Sequence, residues 1–296
     1  MFRLSLKGKK TAFLPAFTLS TMPDTKLLLE ALSALSGCNV ESTTGSSQIT
    51  PHDFITAVAL RKYYKQQGFQ ELEYPSIGTL SVHDDEDLYS SPPPLTEGPG
   101  ESLKPKVQIN LQDFFHPQFD YDFTNIKDGD KTFLRGNENY IRPCGWNRAA
   151  LYVLDKYSGG NQWLGTGNDA WPVSYHAKNI DGSLGVIVAH KGKPDDTPGF
   201  LEAGAASIIQ EHTAGNGVYS TPDIKMAEKY CKTFKSKVDG KTYKVVLQNR
   251  INPQKRAVCQ REDLWVVYIP DGKNDLQRRA IVQESIRPYG LLMKLA

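Results

Sequence analysis

Apolar and polar residues alternate over Lys241–Asn249, where Tyr243, Val245 and Leu247 fall on one side. A period of two predicts a strand with one buried face. Leu264–Ile269 is apolar and β-branched and predicts a second strand, and Tyr289–Leu295 predicts a final one. Trp171–Ala177 predicts a strand that delivers His176 at its end. Helical patterns are shorter. Leu27–Leu35 is an apolar helix with Asp24 or Thr25 as cap, and Thr50 caps a second helix that starts at Pro51 and runs to about Gln67. Phe54, Ile55, Val58 and Ala59 mark the buried face of that helix, and Gly68 supplies a left-handed stop. Asn147–Tyr157 predicts a helix and Asp275–Ser285 a charged one.

Between these elements the pattern weakens. Asn39–Gln48 is small and polar and reads as a loop. The stretch 84–106 holds an acidic run, three consecutive prolines and Gly98-Pro99-Gly100, too little apolar surface to offset ordering entropy, so it reads as a linker. This divides the chain into a small helical region at 1–83, a linker at 84–106 and a larger domain at 107–296. Residues 184–189 form an apolar segment, and residues 191–216 form a long loop around a short helical pattern at Gly204–Glu211. Gly217–Cys231 then places Tyr219 in a β-type segment, breaks at Pro222, and continues as a short helix carrying Ala227 and Tyr230, with Thr221 or Asp223 as its cap. Strands dominate, with short helices between them, which predicts an α+β domain on a mostly antiparallel sheet.

Composition narrows the function classes. With 35 Lys and Arg against 33 Asp and Glu, net charge gives no general case for a nucleic-acid or membrane partner. No run reaches the roughly 18 apolar residues of a membrane span. Lys7, Lys9, Lys10 and Pro15 interrupt the N-terminal apolar residues, so a secretory signal is not expected and a cytoplasmic or nuclear location is. Four scattered cysteines, without a Cys-x-x-Cys or a His pair at ligand spacing, predict free thiols and no structural zinc site.

Gly165-Thr166-Gly167-Asn168-Asp169-Ala170 matches the dinucleotide fingerprint, but Trp171-Pro172 follows at once and blocks the helix that the motif requires. It reads as a turn. Arg135, Arg142 and Arg148 are candidate pyrophosphate ligands, each of which taken singly reads more readily as a surface ion-pairing residue. His116, next to Pro117, reads as structural.

Tyr175-His176 at a strand end, then Gly217-Val218-Tyr219-Ser220, then Ala227-Glu228-Lys229-Tyr230-Cys231, with Tyr219 and Tyr230 eleven residues apart, resembles the ADP-ribosyltransferase fold of the poly(ADP-ribose) polymerase type over roughly residues 140–296. The resemblance implies a mixed, mostly antiparallel split β-sheet with short flanking helices. It implies an NAD-dependent mono-ADP-ribosyltransferase that cleaves the nicotinamide–ribose bond and passes ADP-ribose to a protein acceptor, a nucleic-acid acceptor being less favoured. His176 would orient the ribose, Ala177 would offer backbone to the carboxamide, and Tyr219 and Tyr230 would sandwich the cationic ring, a contact of roughly 0.5–2 kcal/mol. A catalytic carboxylate is expected near the start of the strand Leu264–Ile269, where Asp263 and Glu262 are candidates, Glu284 is a further one, and an offset of one places Leu264 there. The chain departs from the family pattern at Ala177, Lys178 and Ala227, which supports an alternative: a weak or inactive module that binds NAD, ADP-ribose or a protein. An RNA 2′-phosphotransferase, a relative that depends on several arginines, fits poorly, because no arginine occurs between Arg148 and Arg250.

Overall fold

The computed structural model describes residues 24–47, 49–66, 106–178, 180, 188–189, 217–259 and 263–296. Most of the 84–106 linker, the 191–216 loop with its short helical pattern, residues 184–187, Gly68 and Glu262 lie outside them.

Within the described residues, helix α1 (Thr25–Ser36) leads to strand β1 (Asn39–Ser42), and α2 (Pro51–Gln66) follows. Next come β2 (Lys106–Ile109), a one-turn helix α3 (Leu111–Phe114), β3 (Tyr121–Asp122), a hairpin of β4 (Leu134–Arg135) and β5 (Glu138–Asn139), and β6 (Asn147–Ala150). β7 (Val173–His176), β8 (Val188–Ala189) and β9 (Gly217–Ser220) precede α4 (Ile224–Lys229). The chain closes with β10 (Lys232–Lys235), β11 (Thr242–Ile251), β12 (Ala257–Cys259), β13 (Trp265–Tyr268), α5 (Asp275–Ser285) and β14 (Ile286–Leu295).

The main sheet runs β10-β11-β14-β6-β3, with β7 beside β10 on the same edge of β11, and every pairing in it is antiparallel. A second antiparallel sheet runs β8-β12-β13-β9. The fold is mixed, mostly antiparallel sheet with few helices, as the strand periodicities predict. β11 and β14 form its spine, and their ladder is broken once, by a bulge at Gln248/Asn249 where Asn249 faces Pro288. Proline has no N–H to give to a central ladder, so it is tolerated where the ladder is already interrupted.

The cap of α1 is Asp24, whose carboxylate accepts the Lys26 amide at 2.8 Å. Its buried residues Leu28, Ala31, Leu32 and Leu35 share one core cluster with Val245, Leu247, Leu291 and Met293 of the main sheet. The described part of the 1–83 region is thus joined to the sheet rather than set apart as a helical appendage. Two further expectations differ. Asn39–Ser42 is a strand, paired in parallel with Lys106–Ile109, so part of the expected loop and the last residue of the expected linker are ordered by each other. Asn147–Tyr157 is not a helix. Asn147–Ala150 is a strand between β14 and β3, because the edge of β14 satisfies its backbone and overrides the helical preference of Ala149-Ala150-Leu151.

Two cationic contacts fix the β4–β5 hairpin. Arg256 ion-pairs with Glu138 and lies over the Trp265 ring at 3.7 Å. At the turn, Gly136 (φ 57°) lies so close to the Ala170 carbonyl that a Cβ would sit 2.0 Å from its oxygen. The residues after it, Gly165–Ala170, are bends and turns rather than a strand–turn–helix, so the dinucleotide reading has no frame here.

Candidate functional site

The first concentration of chemistry is the junction of the two sheets. β7 and β9 meet at one bridge, where Tyr175 and Thr221 exchange amide-to-carbonyl bonds at 2.7 and 2.9 Å. Past this bridge His176 spans the strands with its side chain: Nδ1 lies 2.7 Å from the Tyr219 carbonyl. A carbonyl only accepts, so Nδ1 carries a proton and donates it to Tyr219.

Ala177, Tyr219 and Ala227 are buried in one cluster with Ile180, Ile224, Met226 and Leu264, and Tyr230 packs against it half-buried. β13 holds Tyr219 opposite Val266. Asp223 caps α4 by accepting the Lys225 amide at 2.8 Å, and the Thr221 hydroxyl accepts the Asp223 amide at 3.0 Å. The helix therefore starts after Asp223, and Pro222 precedes the cap instead of occupying the first helical position. Tyr230 closes α4 as its C-terminal cap, its amide donating to the Ala227 carbonyl. The Ala177 carbonyl accepts the Ile180 amide at 3.0 Å.

The His176 ring also borders a cavity of about 10 Å³ lined by Thr56, Leu247, Asn249, Val282, Ile286 and Pro288. That is room for about one water, and neither Tyr219 nor Tyr230 lines it. His176 contacts the Tyr219 carbonyl and Tyr230 packs against the Tyr219 cluster, but this cavity is no cleft shared by the three.

Asp263 sits partly buried on the turn that enters β13. Burial, and then the charge of Asp263, push the Cys259 thiol up to about 12. Leu264 is fully buried in the Tyr219 cluster and can supply no charge. Glu284 is not brought to the junction. Val282 and Ile286 turn inward toward His176, whereas the Glu284 carboxylate is 61% exposed and ion-pairs with Lys255. Lys178 reaches away, to the Ala34 carbonyl at 3.3 Å. All four cysteines are free thiols.

The second concentration is a pocket of about 300 Å³ on the main sheet. Arg135, Arg148 and Arg250 converge on it, with Tyr140 and Tyr289 beside them. Arg250 is 3% exposed and donates to the carbonyls of Trp171, Leu164 and Gly165 at 2.6–3.1 Å. Burial lowers its pKa, and the charge of Arg135 adds to that. Tyr289 receives Arg250 at 5.3 Å and Arg148 at 5.6 Å from its ring centre, and Tyr140 receives Arg135 at 5.0 Å. Gly290 gives the Arg148 side chain room to pass: a Cβ there would lie 2.7 Å from Cδ of Arg148. Gln248 donates to the Tyr140 hydroxyl at 3.1 Å; among the described residues its Oε1, Nε of Arg148 and Nε of Arg250 are buried without a hydrogen-bond partner. An unmet buried polar atom costs about 1–3 kcal/mol.

Of the three arginines that the sequence singles out, Arg135 and Arg148 meet here. Arg142 is spent on Asp128, at 2.5 Å from its Nε, and lies over Phe133. Arg250 and Tyr289 were not legible as site residues. The only trace of the latter is that Tyr289-Gly290 follows Arg287-Pro288 in one run. Comparison of the chain with protein-family models, with curated proteins and with solved structures returns no match. Among the described residues, no helix is long and apolar enough to cross a membrane.

Proposed function

We propose that the chain is an NAD-dependent mono-ADP-ribosyltransferase with its nicotinamide site at the sheet junction. One observation supports this reading most: Ala177, Tyr219, Ala227 and Tyr230, drawn from two strand ends and a helix, share one cluster, and His176 is anchored to the Tyr219 carbonyl beside it. Two tyrosines flanking a flat cation suit the ring of NAD. His176, held through Nδ1 by the Tyr219 carbonyl, would present Nε2 to a ribose hydroxyl. Cleavage of the nicotinamide–ribose bond builds positive charge on the sugar, as in glycoside hydrolysis, and nicotinamide leaves already uncharged without needing a proton. Positioning and a carboxylate near the sugar carry the remaining work. Asp263, on the turn that enters β13, is the described candidate for that carboxylate, and a protein side chain is the favoured acceptor.

A second reading, NAD or ADP-ribose binding without transfer, is favoured by specific observations: Leu264 is buried and apolar, Ala227 has no polar group for the carboxamide, and Glu284 points outward. Incubation with labelled NAD separates the two. Transfer or nicotinamide release by the full chain, lost in His176→Ala and reduced in Asp263→Asn, supports the transferase. Saturable NAD binding without release supports the second reading. Absence of both binding and release rejects the site.

A further inference from the structure

The arginine pocket is not used by the nicotinamide reading, and its construction points to a ligand of its own. We propose that it binds a small phosphate ester, a mono- or diphosphate that carries one flat ring.

The charge pattern comes first. Three guanidiniums face one cavity, and among the described residues no carboxylate lines it. The carboxylate closest in effect is Asp120, which feels Arg148. Asp120 is already engaged, its Oδ1 accepting the Ala150 amide at 2.5 Å, and burial raises its pKa. Like charges held together without an internal counter-ion favour an external anion.

The donors are fixed in place before any ligand arrives. Arg250 is clamped by three carbonyls, Arg148 by the Phe119 carbonyl at 2.8 Å, and the tyrosine faces hold all three cations in position. Each guanidinium has five N–H donors in a rigid fork. Arg148 commits one of them to a carbonyl, and Arg135 commits one to the Leu134 carbonyl at 2.7 Å. Most of their donors remain for bidentate contact with phosphate oxygens.

A purely structural role explains Arg250, which ties a bend to the sheet. It does not explain Arg135, which sits on a two-residue strand of a hairpin and, among the described residues, hydrogen-bonds its own neighbour's carbonyl and lies over the Tyr140 ring. The close approach of Gly136 to Ala170 sets that hairpin against the pocket. The remaining wall is apolar and aromatic: Leu151, Val153, Leu154, Leu164, Phe119 and His116. A volume of about 300 Å³ is at the small end of organic-ligand sites. A bare phosphate leaves the apolar wall unused, and a bare ring leaves the cations unused.

Calorimetric titration of the full chain with ADP, pyrophosphate and adenosine tests the assignment. The expected result is that ADP binds, pyrophosphate binds more weakly, and adenosine does not bind. Arg135→Gln should weaken ADP by about tenfold or more with unchanged circular dichroism, Arg135→Lys should restore part of the loss, and the exposed Lys241→Gln should leave ADP affinity unaltered. No ADP binding at millimolar concentration, equal affinity for adenosine and ADP, pyrophosphate as tight as ADP, or ADP affinity that does not fall with Arg135→Gln would each overturn the proposal. Nicotinamide release reads the junction and ADP affinity reads this pocket, so failure of one site is distinguishable from failure of the other.

Discussion

The sheet junction and the arginine pocket are opposite solutions to holding side chains in place. At the junction, apolar burial does most of the holding: Tyr219 is 2% exposed, Ala177 and Ala227 are fully buried, and His176 adds a side-chain link to a carbonyl. At the pocket, cations are held against tyrosine faces and carbonyls around a volume that stays open. Function and stability should therefore be inseparable at the junction and separable at the pocket.

The largest expected effect breaks the junction. Tyr219→Ala removes a buried ring and should cost about 3–5 kcal/mol in denaturant unfolding. Tyr219→Phe should retain the fold, whereas a destabilisation by Tyr219→Ala below about 1 kcal/mol would mean that the cluster is looser than its burial implies. Next is the bracing of the pocket. Gly136→Ala should cost about 3 kcal/mol, since the new Cβ meets backbone in a left-handed conformation, and the hairpin should shift with loss of the Arg135 contribution. Arg135→Gln, by contrast, should leave unfolding within about 0.5 kcal/mol.

A pH titration probes the helix behind the junction. His52 on α2 bonds the Tyr157 hydroxyl at 2.5 Å, and burial lowers its pKa from 6.5 to about 4. The unfolded chain then binds the proton more tightly than the folded one. Its contribution is fully present above pH 6.5 and is lost as pH falls toward 4, on the order of 3 kcal/mol. His52→Gln should flatten that window in thermal unfolding. The smallest effect is expected at Glu284. Glu284→Gln removes an exposed ion pair with Lys255 and should change stability by less than about 1 kcal/mol and NAD turnover not at all. A turnover defect would return Glu284 to the site.

These contrasts follow what was legible in the sequence. The alternating run Lys241–Asn249 predicts one spine strand and Tyr289–Leu295 most of the other, but from Val245 onward β11 is buried on both faces rather than on one. His176 was placed at a strand end, and the caps of α1 and α4 were narrowed to two candidates each, of which Asp24 and Asp223 serve, because those signals are local. Asn147–Ala150 was misread, because what makes it a strand is the edge of β14, 140–146 residues away in sequence. Arg250 and Tyr289 were missed for the same reason: an arginine at the end of an apolar strand acquires meaning only when Arg135 and Arg148 fold against it. Glu284 looked suitable by proximity to the last strand, and helix phase turned it outward.

Nicotinamide release from NAD, followed by mass spectrometry for the full chain beside His176→Ala and Tyr230→Ala, tests the central claim most directly. The account predicts release by the natural chain and at least a hundredfold loss in His176→Ala, with Tyr230→Ala binding NAD more weakly. Release that is unchanged in both variants, or a natural chain that neither binds nor cleaves NAD, would contradict it.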